Sequence, residues 1–114
     1  MLRFPNIWNV RFAIQGIWTA LKEEKQVFWG LIILCMMLGI AIWQEVGVGE
    51  FAVLLVLGSI ILALEMFNGA IERLCNKVQP NHDPDIKKIK DLTSGAVLLL
   101  SLVMLGIWTL LVFF

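Results

Sequence analysis

Cysteine and histidine are scarce in this chain of 114 residues, which holds two cysteines and one histidine. Cys35 and Cys75 are far apart, and neither has a second Cys or His at the spacing of metal ligands. The sequence therefore predicts neither a zinc site nor a disulfide framework. Any chemistry must come from carboxylates, from one Lys-Asp pair or from His82.

The chain also lacks a net charge, because nine Lys and Arg residues balance nine Asp and Glu residues. This balance argues against a nucleic-acid partner, which would select for a basic surface. The sequence contains no GxxxxGK[ST] phosphate-binding loop, no GxSxG motif and no HExxH pair. The motifs of several common enzyme classes are thus missing.

Long hydrophobic runs are abundant, and 60% of the residues are hydrophobic. Three runs, at about 27–43, 51–71 and 92–114, are long enough to cross a hydrocarbon core of about 30 Å. The predicted fold is an all-α membrane protein with one domain over residues 1–114. Between the first two spans, residues 44–50 are acidic and contain glycine, which predicts a tight loop.

Residues 6–24 precede the first span and have a different pattern. Apolar residues recur at intervals of three and four, and tryptophan and phenylalanine are interleaved with polar residues. This pattern predicts an amphipathic helix in the membrane interface. An ordinary amphipathic helix of a globular protein is the alternative, but the chain offers no soluble core for it to pack against.

The basic residues are confined to the amino-terminal segment and to the loop between the second and third spans. They are Arg3, Arg11, Lys22, Lys25, Arg73, Lys77, Lys87, Lys88 and Lys90. The positive-inside rule then places the amino terminus and the second loop in the cytoplasm and the carboxyl terminus outside. The expected location is the bacterial cytoplasmic membrane.

One face of the second span carries polar groups at its cytoplasmic end. Glu65 and Glu72 lie about 20° apart on a helix and about 10 Å apart along its axis, with Asn68 between them. Gly69 lies near this face and leaves room for a ligand or a neighbouring helix. Glu24 and the pair Lys90-Asp91 are expected at the same depth.

Each of these features has a plainer explanation. Glu65 at the membrane boundary could extend toward water or pair with a lysine, and Asn68 could simply join two helices. Lys90 and Asp91 could form a solvated loop end, since Asp91, Thr93 and Ser94 are all suitable caps for a helix that starts at residue 92. Carboxylates at one depth nevertheless favour a magnesium site, because Mg²⁺ prefers oxygen ligands and usually binds together with a phosphate.

Two motifs carry a resemblance to a known family. Glu65-x-x-Asn68-x-Ala70-Ile71-Glu72, followed by Lys90-Asp91-x-x-Ser94-x-Ala96, resembles the signature of the small prokaryotic integral-membrane diacylglycerol kinases, a family that also contains the undecaprenol kinases. The resemblance covers nearly the whole chain. It implies a homotrimer whose active sites lie between subunits and move a phosphate from MgATP to a lipid hydroxyl.

The resemblance also implies roles for individual residues. Glu65 resembles the general base, and Glu24 and Glu72 resemble the metal ligands that hold Mg²⁺ against the phosphates of ATP. Asn68 resembles a polar residue supporting this cluster, Lys90 and Asp91 resemble nucleotide contacts, and Trp43 and Ser94 occupy the positions of lipid contacts.

Some positions depart from the family pattern. His82 is displaced by one position from a nucleotide-binding histidine, and Pro5 stands where relatives carry an arginine, for which Arg3 or Arg11 is a substitute. The predicted function is phosphorylation of diacylglycerol, with undecaprenol as the alternative acceptor. A small membrane subunit without enzymatic activity is the competing hypothesis.

Overall fold

The structure is a computed structural model that describes residues 7–114, and all regular structure in that range is helical. Arg3, Pro5 and Asn6, which enter the predictions above, lie outside the described residues. The four helices are α1 (Ile7–Glu23), α2 (Lys25–Trp43), α3 (Val48–Val78) and α4 (Pro84–Phe113).

Helices α2, α3 and α4 are each long and apolar enough to cross a membrane. In their most apolar stretches only 11–17% of the residues are buried inside the protein. Large apolar side chains therefore cover the outside of the bundle, as expected where lipid or another membrane protein replaces water. These helices contain the three predicted spans.

The helices pack around a small apolar core, which is formed by Leu34, Ala41, Leu54, Met104 and Val112. The most extensive contact joins α3 to α4, and α2 packs against both. The indole Nε1 of Trp108 donates a hydrogen bond of 3.0 Å to the Met37 carbonyl oxygen, which ties α4 to α2 within the apolar region.

The connection between α2 and α3 is shorter than predicted. The loop spans residues 44–47, because α3 begins at Val48 rather than at residue 51. Glu50 lies in the first turn of α3, and its side chain accepts a hydrogen bond of 3.3 Å from the backbone N–H of Gly47. Glu45 takes a positive φ of 56°, which lets the chain reverse within this short loop.

The predicted start of the last helix is wrong. Helix α4 begins at Pro84, and Asp83 caps it by accepting hydrogen bonds from the backbone N–H groups of Asp85 (2.8 Å) and Ile86 (3.2 Å). Proline suits the first turn because its missing N–H would have no helical partner there. Asp91, Thr93 and Ser94 therefore lie inside the helix and do not cap it.

The position of α1 in the membrane interface stays a prediction. Residues 9–19 are all exposed, and the buried contact of this helix is at Ala20, close to its end. No packing within the described chain therefore explains the apolar stripe of α1.

Close packing of α2 on α3 depends on Gly58, because a methyl group there would overlap the Leu34 side chain. We expect Gly58→Ala to destabilise the protein by about 1–3 kcal/mol, the usual effect of overpacking. Thermal unfolding in detergent measures this change. The control is Gly39→Ala, since nothing lies within 4 Å of the added methyl group at Gly39. Equal stability of the two variants would contradict the packing argument.

Candidate active site

Glu24 occupies a break of one residue between α1 and α2. Its backbone is extended, with φ −105° and ψ 103°, while its N–H still donates to the Ala20 carbonyl oxygen at 2.9 Å. Its carbonyl oxygen accepts from the N–H groups of Val27 and Phe28 at the start of α2. The break therefore directs the Glu24 side chain away from both helices, and toward α3.

The Glu24 carboxylate lies against Gly69 of α3. A methyl group at Gly69 would come within 2.7 Å of Glu24 Cδ, so only glycine leaves the carboxylate in this position. This contact confirms the close approach that the sequence predicts at Gly69. Arg73 holds the same carboxylate, because its Nε donates a hydrogen bond of 2.9 Å to Glu24 Oε1.

A polar pocket of about 360 Å³ surrounds this contact. It is lined by Glu23, Glu24, Lys25, Gln26, Gly69, Glu72, Arg73 and Asn76. Two of the predicted site residues thus line one pocket, Glu24 from the break between α1 and α2 and Glu72 from α3.

The donor set of the polar pocket fits magnesium bound together with a nucleotide. Within residues 7–114 no three His, Cys, Asp or Glu side chains gather into a complete metal cage. Mg²⁺ does not need such a cage, since it typically takes one or two carboxylates and completes its shell with phosphate oxygens and water. Glu24 and Glu72 supply two carboxylates of this kind.

An apolar pocket of about 410 Å³ adjoins the polar one. It is lined by Gln26, Trp29, Gly30, Ile33, Leu34, Met37, Gly58, Ile61, Leu62, Glu65, Ser101, Met104 and Leu105. Glu65 is its single acidic group, and it has no hydrogen-bond or ion-pair partner among the described residues. Gln26, at the start of α2, lines both pockets, so the two cavities are neighbours.

Hydrogen bonds between α3 and α4 bring Lys90 and Asn68 to the same region. The Lys90 Nζ donates to Asn76 Oδ1 at 2.8 Å, and Asn76 lines the polar pocket. The Thr93 hydroxyl lies 2.6 Å from Asn68 Oδ1 and 2.9 Å from the Lys90 carbonyl oxygen. Lys90 is therefore next to the site, and the Asn68 side chain is held by α4.

Residues 11–112 match the family described as prokaryotic diacylglycerol kinase. This chain belongs to that family. The undecaprenol kinase of Bacillus subtilis (strain 168) is 28% identical over 85 residues, which cover 75% of this chain and 69% of the relative. The family is one of lipid kinases, so the chain is a membrane-bound kinase with a lipid substrate.

Neither pocket of the kinase is lined by Asn68, Lys90, Asp91 or Ser94. Lys90 and Asn68 are joined to the region of the polar pocket by the hydrogen bonds above, whereas Asp91 and Ser94 are not. Asp91 pairs with Lys87 one turn earlier, at 2.7 Å, and both side chains are mostly exposed. Ser94 is exposed and lies near the same surface. This surface contains a separate shallow pocket lined by Lys88, Asp91, Leu92, Gly95, Ala96 and Leu99.

His82 and Trp43 are not brought to the pockets within one copy of the kinase. His82 is exposed in the loop 79–83 between α3 and α4. Trp43 is 85% exposed and ends α2, about 29 Å from Glu24 at a rise of 1.5 Å per residue. Within one chain Trp43 does not line the pocket that contains Glu65.

The structure adds four polar residues that the sequence interpretation did not single out, namely Gln26, Arg73, Asn76 and Thr93. The sequence could have indicated Asn76, because it continues the helical spacing of Glu65, Asn68 and Glu72 on one face of α3. It could not have indicated the contact of Arg73 with Glu24, since that contact depends on a break in the chain 49 residues earlier.

The contact of Glu24 with Gly69 predicts the effect of a small substitution on the kinase. Gly69→Ala displaces the Glu24 carboxylate, and we expect lipid phosphorylation to fall about tenfold or more, because displaced catalytic groups lose rate steeply. Initial rates at saturating Mg²⁺ and at low Mg²⁺ measure the loss. The control is Gly106→Ala in α4, where an added methyl group meets nothing within 4 Å. Full activity of Gly69→Ala would show that the position of Glu24 is unimportant.

Proposed function

We propose that this kinase transfers the γ-phosphate of ATP to the primary hydroxyl of a membrane lipid, with Mg²⁺, at the cytoplasmic face of the bacterial inner membrane. One observation carries the proposal: the polar pocket with two carboxylates adjoins the apolar pocket that contains Glu65. A water-soluble nucleotide and a lipid alcohol can thus approach each other from two different environments.

The polar pocket is assigned to the nucleotide. Glu24 and Glu72 would hold Mg²⁺, which when bound offsets negative charge on the triphosphate. Lys90 provides a positive charge for phosphate oxygens after releasing Asn76, and Asn68 supports the cluster while Thr93 fixes its side chain. Asp91 and His82 remain proposed nucleotide contacts, which reach the site only if the loop and α4 face a neighbouring subunit.

Glu65 is proposed as the general base. Its carboxylate accepts the proton of the lipid hydroxyl while that oxygen forms a bond to the γ-phosphorus and the bond to the β-phosphate oxygen breaks. The products are ADP and a phosphorylated lipid, with no phosphoenzyme. The absence of a partner for Glu65 in the described residues leaves this carboxylate available to the substrate.

A homotrimer supports this function for a physical reason. Only 11–17% of the spanning stretches are buried, so three helices do not enclose both pockets. Polar groups such as Glu65 need shielding from lipid, and further copies of the bundle would provide it. The positive-inside rule supports the orientation, with the amino terminus in the cytoplasm and the carboxyl terminus outside.

Undecaprenol and diacylglycerol are the two candidate acceptors. The positions of Trp43 and Ser94 in the resemblance favour diacylglycerol, which also gives the family its name. Trp43 does not line the Glu65 pocket within one chain, which weakens that argument. The undecaprenol kinase relative favours undecaprenol, which we therefore propose as the first acceptor and diacylglycerol as the second.

A membrane subunit without enzymatic activity agrees less well with the structure. A pore would require polar side chains through the full depth of the bilayer. Apart from the bond of Trp108 to the Met37 carbonyl oxygen, the described polar contacts between helices instead gather at the end of the bundle where Glu24, Asn76 and Lys90 lie.

The role of Glu65 predicts the phenotype of Glu65→Gln. We expect lipid phosphorylation to fall on the order of 10²- to 10⁴-fold, the usual contribution of a general base, with unchanged oligomeric state and thermal stability. Radiolabel transfer from ATP to lipid in mixed micelles measures the rate. Glu45→Gln, in the loop at the other end of α3, serves as the control and should retain full activity. Unchanged transfer by Glu65→Gln would remove Glu65 from the mechanism.

The choice of acceptor is testable by direct competition. With both lipid alcohols at equal mole fraction in mixed micelles, we expect phosphorylation of undecaprenol to exceed that of diacylglycerol about tenfold or more in kcat/KM. Separation of the two phosphorylated products measures the ratio. The reverse preference would establish a diacylglycerol kinase and leave the reaction type unchanged.

A further inference from the structure

Arg73 occupies the polar pocket in a way that the proposed function does not use. Its Nε lies 2.9 Å from Glu24 Oε1, and its Nη2 lies 3.4 Å from Glu23 Oε1. The Glu24 side chain is 19% exposed, whereas the Arg73 side chain is 53% exposed. The guanidinium thus covers a largely buried carboxylate from the side of the solvent.

The pairing conflicts with metal binding at the same carboxylate. Arg73 already uses Oε1 of Glu24, and the carboxylate is fixed from the other side by Gly69. A magnesium ion bound by Glu24 would also lie close to the positive guanidinium. Oε2 of Glu24 could still reach a metal, but like charges repel in a partly desolvated pocket, so the guanidinium and the metal weaken each other's contact with Glu24.

Arg73 has a second set of partners available when a nucleotide enters. It lines the same pocket as Glu72, and its side chain is exposed enough to turn without unpacking the core. The planar guanidinium binds phosphate oxygens as readily as carboxylate oxygens, through paired hydrogen bonds. A triphosphate in the pocket therefore offers Arg73 a replacement for Glu24.

We propose that Arg73 is a nucleotide-binding residue that exchanges partners: it holds Glu24 until a nucleotide binds, and it then binds a phosphate oxygen of ATP while Glu24 turns to the metal. The proposal rests on the proposed function of the polar pocket. On this proposal Arg73 competes with a free metal ion for the Glu24 carboxylate. When metal and nucleotide bind together, Arg73 instead binds the nucleotide.

A purely structural role predicts something different. If Arg73 only ties α3 to the junction of α1 and α2, its loss disorders the Glu24 side chain. The binding of every ligand that needs this carboxylate then becomes weaker. The exchange predicts opposite effects instead, because losing Arg73 frees Glu24 for the metal and deprives the triphosphate of a donor. The sign of the change in metal affinity separates the two roles.

The experiment compares Arg73→Gln with Lys77→Gln in nanodiscs. Lys77 is a cation one turn further along α3 that forms no ion pair among the described residues, so the control removes the same charge without the contact. Electron paramagnetic resonance measures binding of Mn²⁺ alone, and equilibrium dialysis measures binding of a magnesium complex with a non-hydrolysable ATP analogue. Neither measurement depends on turnover.

For Arg73→Gln we expect Mn²⁺ alone to bind roughly two- to fivefold more tightly, the range of a partly exposed ion pair. The nucleotide complex should bind about tenfold more weakly, as for the loss of a charged hydrogen bond. Lys77→Gln should change both by less than about twofold. Weaker binding of Mn²⁺ by Arg73→Gln, or unchanged binding of the nucleotide, would overturn the exchange.

Arg73→Lys is a second variant that tests the same proposal, and it serves even if Arg73→Gln does not fold. It keeps the positive charge and loses the paired donors, so Mn²⁺ should bind as in the natural protein while the nucleotide binds about threefold more weakly. Tighter Mn²⁺ binding by this variant would contradict the proposal. Failure of the natural protein to phosphorylate lipid would refute the proposed function alone, because the binding measurements are independent of transfer.

Discussion

The contact of Glu24 with Gly69 and Arg73 is the constraint on which the site depends. It joins the break between α1 and α2 to the carboxyl-terminal half of α3, and it does so with a carboxylate that is only 19% exposed. A one-residue break is needed because a continuous helix would direct residue 24 along its own surface. Without glycine at position 69 the carboxylate would have no space against α3.

The division of the bundle into an apolar and a polar end follows from helix length. Helix α3 has 31 residues and is about 46 Å long, so it extends well beyond a hydrocarbon core of about 30 Å. Its last turns carry Glu72, Arg73 and Asn76, which line the polar pocket. Glu65 lies about 10 Å nearer the middle of the helix and lines the apolar pocket. One helix thus contributes to both pockets.

Sequence periodicity predicted the parts of the molecule that depend on one helix at a time. The three spans, and the shared face of Glu65, Asn68 and Glu72, follow from hydrophobic runs and a period of 3.6 residues. The start of α4 was missed because the polar residues 84–91 were interpreted as a loop, although Asp83-Pro84 is a good start signal. The direction of Asp91 and the partner of Arg73 could not be predicted, since both depend on how the helices are rotated against each other.

A pocket that contains two carboxylates has to be stable before any cation binds to it. Glu24 and Glu72 line one pocket, and the cost of holding a partly buried carboxylate without a counter-charge favours a cation that remains when the metal leaves. A tethered arginine meets this need and, unlike a lysine, can bind a carboxylate or a phosphate with paired hydrogen bonds. If Arg73 gives up Glu24 only for a phosphate oxygen, the metal gains its ligand when the nucleotide is present. The pocket would then favour metal and nucleotide bound together over metal bound alone.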